Sequence, residues 1–84
     1  MTELTLIGKP DCHLCEDARS VVTAVLADFD RSSVSLTELS ILDDVALRDQ
    51  YAEEIPVLLI DGRVHNIWRV DAARLRSALE EVVR

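Results

Sequence analysis

Apolar positions fall into seven short runs with two different spacings. Leu4, Leu6 and Ile7 lie in a stretch from Glu3 to Gly8 that predicts a strand, broken by Gly8-Lys9-Pro10-Asp11. Pro10 keeps Lys9 extended. Ala18, Val21, Val22, Val25, Leu26 and Phe29 then recur at threes and fours, the stripe of a helix from about Cys12 to Asp28, with Asp11 as its expected N-cap. Asp30 to Ser33 is polar and reads as a loop. Val34 to Leu39 predicts a second strand, with Val34 and Leu36 on one face. Asp43-Asp44 opens a short helix to about Tyr51, with Leu47 and Tyr51 toward the core, and Ala52-Glu53-Glu54 closes it. Ile55-Pro56 leads into an apolar strand, Val57 to Ile60. Asp61-Gly62 is a two-residue hairpin turn, and Val64 to Trp68 is the return strand. Asp71 caps a last helix whose buried stripe is Leu75, Ala78, Leu79, Val82 and Val83.

The order β-α-β-α-β-β-α defines an α/β fold. Two strands joined by a helix are expected to be parallel, and the last two form an antiparallel hairpin. The sheet is therefore mixed and four-stranded. Helices on both its faces give a three-layer α/β/α sandwich.

Composition narrows the function classes. Eighty-four residues, 49% of them apolar, suit one domain spanning 1–84, with enough core for a chain of marginal size. No apolar run is long enough to span a membrane. Met1-Thr2-Glu3 lacks the basic, apolar character of a secretory leader, so a cytoplasmic protein is expected. The net charge of −7 argues against nucleic acid, whose affinity rests on cations meeting phosphates. Eight of the nine basic residues are Arg, a bias that hints at a GC-rich bacterial genome. No exposed apolar stripe demands a partner copy, so a monomer is expected.

The chemistry is concentrated in Lys9-Pro10-Asp11-Cys12-His13-Leu14-Cys15, which holds both cysteines of the chain. Residues i and i+3 share a helix face and bring two cysteines within disulfide reach. The unpaired N–H groups and partial positive charge of a first helical turn favour a thiolate, the attacking species. Lys9 adds to this field, and a protonated His13 would too, while Asp11, Glu16 and Asp17 oppose it. Cys12 is thus the expected nucleophile and Cys15 its resolving partner. Two buried core cysteines are the bland alternative. A self-contained zinc site would consume both cysteines and both histidines, and His13 sits between the cysteines. An iron–sulfur cluster shared between two chains is a further alternative. His65 reads as a surface residue, and Trp68 as core or edge packing.

A strand, Cys-x-x-Cys at a helix start and Ile-Pro before the third strand together resemble the thioredoxin superfamily. Length and element order are most similar to glutaredoxin, and Cys-His-Leu-Cys resembles a divergent set of small bacterial glutaredoxin-like proteins. The resemblance covers nearly the whole chain. It implies a thiol–disulfide oxidoreductase that reduces protein or small-thiol disulfides in cell redox homeostasis. It implies no tightly bound cofactor, and glutathione or another low-molecular-weight thiol as co-substrate. In such proteins the proline before the third strand is cis and lies beside the cysteines, which Pro56 matches, leaving the Ile55 backbone free to pair with an extended substrate. Lys9 and Asp71 match family positions that meet the two ends of glutathione. Two glycines that precede Asp71 in the family stand here as Trp68 and Arg69. That departure keeps open a module serving one protein partner without glutathione activity, and an iron–sulfur carrier remains the other alternative.

Overall fold

The computed structural model describes residues 2–83. Its elements run β1 (Thr2–Gly8), α1 (His13–Leu26), β2 (Val34–Ser40), α2 (Val45–Tyr51), β3 (Val57–Ile60), β4 (Arg63–Ile67) and α3 (Ala72–Val82). The sheet order is β2-β1-β3-β4. β1 and β2 are parallel, in register from Thr2↔Val34 to Gly8↔Ser40, whereas β1–β3 and β3–β4 are antiparallel. The element order and the mixed sheet are those the apolar pattern predicts.

Alternation along the strands divides the core in two. Leu4, Leu6, Val34 and Leu58 face Ala18, Val22 and Val25 of α1 and Leu75 and Leu79 of α3. Ile7 and Val57 point to the other side and pack with Ile41 and with Leu47 and Tyr51 of α2. The sheet thus lies between two helical layers. The hairpin turn uses left-handed backbone at both central residues, Asp61 (φ 49°) and Gly62 (φ 84°), the requirement of a turn whose twist matches its strands. Asp61 also fastens the turn to β1: its carboxylate accepts from the Glu3 N–H at 2.8 Å and its N–H donates to the Glu3 carbonyl.

Four local expectations are corrected. Cys12 rather than Asp11 is the N-cap of α1: Asp11 takes a left-handed conformation (φ 58°), whereas Cys12 has the extended backbone of a cap and its side chain accepts from the Cys15 N–H. Val82 is exposed, since α3 meets the sheet through Leu75 and Leu79 and the stripe drifts off by its last turn. Trp68 lies beyond β4, half-exposed, rather than packing at a strand edge. His65 is half-buried rather than a surface residue: a bulge between Leu58 and Leu59 sets an extra residue in β4 and leaves His65 Nε2 buried without a partner.

Burial of its ring, and secondarily the positive charge of Arg74, holds the His65 pKa below its ordinary 6.5. The unfolded chain therefore takes up this proton first as pH falls. Stability is full above about 6.5 and declines as pH drops through that value toward the folded-state pKa. A lower denaturant midpoint at about pH 5.5 than at about pH 7.5 is expected, with a smaller difference in His65→Leu. An equal drop in both proteins would assign the pH dependence to another group.

Candidate active site

The end of β1 and the start of α1 form the site. Gly8 closes the strand, and the left-handed Asp11 redirects the chain so that Cys12, in extended conformation, begins the helix. Cys12 Sγ accepts a hydrogen bond from the Cys15 N–H at 3.2 Å, so the sulfur takes the place that an oxygen usually fills at a helix N-terminus. The two sulfurs lie at disulfide distance, with their Cα atoms 5.2 Å apart, within the range a disulfide requires.

The two cysteines are not equivalent. Cys15 is only 6% exposed, whereas Cys12 stands partly exposed at the surface. Cys15 is pressed against β1: a Cβ placed on Gly8 would stand 2.9 Å from Cys15 Sγ. Glycine at this position is therefore a steric condition for the buried sulfur. In the sequence Gly8 is legible only as a strand breaker, and its immediate succession to an apolar run is the one signal of a close approach.

The Ile55–Pro56 peptide is cis, and Pro56 is fully buried. Val57 is registered with Ile7, and continuing that register by one residue sets Pro56 across from Gly8. The proline segment and the cysteine pair therefore flank the same strand end. Among the described residues, no backbone hydrogen bond engages the Ile55 N–H or carbonyl.

Two clefts flank α1. One, of about 250 Å³, is lined by Lys9, Cys15, Arg19, Glu38, Ser40 and Asp43 among others. Lys9 is thus brought together with Cys15. Arg19, one helical turn beyond Cys15, bridges to Glu38 of β2 at 2.5 Å across this cleft. Neither partner stands out in the sequence, although the i,i+4 spacing of Cys15 and Arg19 places them on one helix face. Both are about half exposed, so the pair adds little stability. The second cleft, of about 200 Å³, is walled by Leu14, Asp17, Ala18, Val21, Trp68, Arg69 and Val70. Asp71 lines neither cleft; its carboxylate caps α3 by accepting from the Arg74 N–H at 3.0 Å. His13 is exposed at the first turn of α1. No cluster of three or more His, Cys, Asp or Glu side chains suited to a metal ion occurs among the described residues. No helix among them is long and apolar enough to cross a membrane.

The fold is matched in known proteins. The model of the glutaredoxin-like domain (DUF836) matches residues 3–80. A structural-genomics target protein from X. campestris, solved by X-ray diffraction, is 35% identical, with a TM-score of 0.74 over 93% of this chain and 96% of that one. A glutaredoxin-like protein of Dictyostelium discoideum is 28% identical over 79 residues, covering 90% of this chain and 73% of that protein. Chloroplastic thioredoxin z superposes with a TM-score of 0.79 over 98% of this chain and 78% of its own, at 12% identity, a likeness of fold alone. A thioredoxin-like fold that carries a cysteine pair at disulfide distance is built for redox work, and by sequence and architecture the chain belongs to the glutaredoxin-like domain family (DUF836) of the thioredoxin superfamily.

Proposed function

We propose that the protein is a thiol–disulfide oxidoreductase of glutaredoxin type, acting on protein or small-thiol disulfides. The observation that carries this reading is the asymmetry of the pair: Cys12 partly exposed at the helix N-terminus, and Cys15 buried behind it at bonding distance. The Cys15 N–H that points at Cys12 Sγ, together with the positive end of α1, favours the Cys12 thiolate when the pair is reduced. That thiolate attacks one sulfur of the substrate disulfide. A bond forms between Cys12 and that sulfur, and the other substrate sulfur leaves as a thiolate and takes a proton. Cys15, deprotonated in turn, attacks Cys12 Sγ and expels the second substrate thiolate. Two electrons have then passed from the dithiol to the substrate, and the protein holds the Cys12–Cys15 disulfide. Two equivalents of a small thiol, glutathione or another, or a reductase return it to the dithiol.

The residues around the pair support the same reading. Ile55 offers an unpaired backbone N–H and carbonyl beside Pro56 to an extended substrate. Lys9 supplies a cation in the cleft that reaches Cys15, where a small thiol's carboxylate would meet it. Asp71 has one oxygen committed to its cap, so its part in binding a small thiol rests on the other. We further propose that the chain works as a cytoplasmic monomer, without a membrane or nucleic-acid partner.

A redox titration tests the reading. Protein equilibrated in thiol buffers of graded potential, alkylated and weighed intact, is expected to show one two-electron transition between about −270 and −200 mV. Two cysteines that alkylate independently at every potential would sink the dithiol mechanism.

A further inference from the structure

We propose that Trp68 selects the substrate. It closes the Leu14 side of the cysteine pair to a small anionic thiol, and it offers an apolar seat to an extended segment of a disulfide-bearing protein. The inference rests on the oxidoreductase reading above and narrows its substrate class.

The first observation is conformational. Trp68 has φ 65°, left-handed backbone that a bulky side chain rarely adopts. The Arg69 N–H returns to the Ile67 carbonyl at 2.8 Å, which makes Trp68 the centre of a three-residue turn of the rare, strained form. Glycine would take this position at no steric cost. Strain of this kind persists only where the surroundings enforce it, and it collects at binding and catalytic sites. Burial does not explain the aromatic here, since Trp68 is 52% exposed.

The second observation is how the ring is held. The Trp68 N–H donates to the Pro56 carbonyl at 2.8 Å, and its indole Nε1–H donates to the Glu53 carbonyl at 3.2 Å. Both acceptors belong to the segment that carries the cis proline. Trp68 therefore spans from that segment to α1, where it forms a wall of the same cleft as Leu14, the residue between His13 and Cys15. A ring so fixed presents a rigid face at little further entropic cost to a ligand.

The third observation is the character of the cleft. Leu14, Ala18, Val21, Trp68 and Val70 make it apolar, with Asp17 and Arg69 as its charged members. Its volume of about 200 Å³ suits an apolar side chain or two. The carboxylate of Asp17 and the guanidinium of Arg69 offset one another in the lining, on a chain of net charge −7. That balance disfavours an anionic thiol such as glutathione. The free N–H and carbonyl of Ile55 complement a peptide backbone running as an added strand. An apolar seat and an unpaired backbone segment ahead of β3 together fit a peptide segment whose cysteine meets Cys12 and whose neighbouring side chain enters the cleft.

The test compares three probes: glutathione disulfide, insulin as a protein disulfide, and uncharged 4,4′-dithiodipyridine, which reports Cys12 reactivity. Single-turnover rates of the first two are divided by that of the third, for the wild type, Trp68→Gly and Trp68→Phe. Trp68→Gly is expected to raise the glutathione ratio and lower the insulin ratio by about tenfold each. Trp68→Phe keeps an aromatic wall and is expected to retain the insulin preference, which separates lost selectivity from lost folding. Ratios that stay constant across the three proteins would overturn the inference alone. A wild-type protein inert even to 4,4′-dithiodipyridine would overturn the oxidoreductase reading and this inference with it.

Discussion

Replacing Cys12 by Ser is expected to abolish disulfide turnover, and replacing Cys15 by Ser is expected to trap the substrate instead. The difference follows from exposure and position. Cys12 stands partly exposed at the N-terminus of α1 with a backbone N–H aimed at its sulfur, whereas Cys15 is buried against Gly8. A serine hydroxyl at residue 12 keeps the cap but is a far weaker nucleophile, and removing a nucleophile costs a factor of about a thousand or more. With Cys15→Ser, attack by Cys12 still forms the mixed disulfide, and no internal thiol resolves it. Intact mass after mixing the reduced protein with a protein disulfide should therefore show a stable adduct for Cys15→Ser and none for Cys12→Ser. Full turnover by Cys12→Ser, or adducts formed equally through either cysteine, would reverse the assignment of roles. Such an outcome would require Cys15 to reach solvent, against its present seat on β1.

How far the sequence reveals this site depends on the distance over which each feature is encoded. The order of elements is local: runs of period two and period near 3.6 are written in neighbouring residues, and all seven elements follow from them. The disulfide pairing is local too, since Cys12 and Cys15 are one helical turn apart. Features that depend on what another element brings are not encoded locally. The seat of Cys15 needs the absent side chain of Gly8, and the cleft beside it needs Glu38 of β2 to meet Arg19 of α1. Asp11 looks like an N-cap by residue type, yet its left-handed backbone passes that role to Cys12, and no periodicity reports the sign of φ. Trp68 shows the limit most plainly. An apolar aromatic that ends an apolar run reads as packing, but the chain has already left β4 by then; the backbone N–H of Trp68 donates to the Pro56 carbonyl, and its indole N–H donates to the Glu53 carbonyl and holds the ring at the surface. His65 errs in the opposite direction: a polar residue on an edge strand reads as exposed until the bulge turns it in.

The other large effect expected is on stability, at Leu58. This residue is fully buried in β3, between β1 and β4, and belongs to the core shared with Leu4, Val22, Leu75 and Leu79. Truncation to Ala removes transfer free energy and leaves a cavity that rigid neighbours on two strands and two helices cannot fill. Such changes cost about 2–5 kcal/mol, against total stabilities of about 5–15 kcal/mol that small domains approach from below. Leu58→Ala is therefore expected to lower the urea midpoint sharply and to populate unfolded chains near physiological temperature. Val64→Ala on β4, where the residue is mostly exposed, should move the midpoint by no more than about 0.5 kcal/mol equivalent. The Leu58 substitution also touches the strand that directly follows Pro56, whose register sets the proline across from Gly8. In chains that remain folded, Cys12 should react at the wild-type rate, so lost activity should track the unfolded fraction as denaturant rises. Alkylation should follow suit, with Cys15 becoming as reactive as Cys12 only in the unfolded population. If activity fell well before the unfolding transition, the core at Leu58 would be setting the geometry of the site as well as its stability.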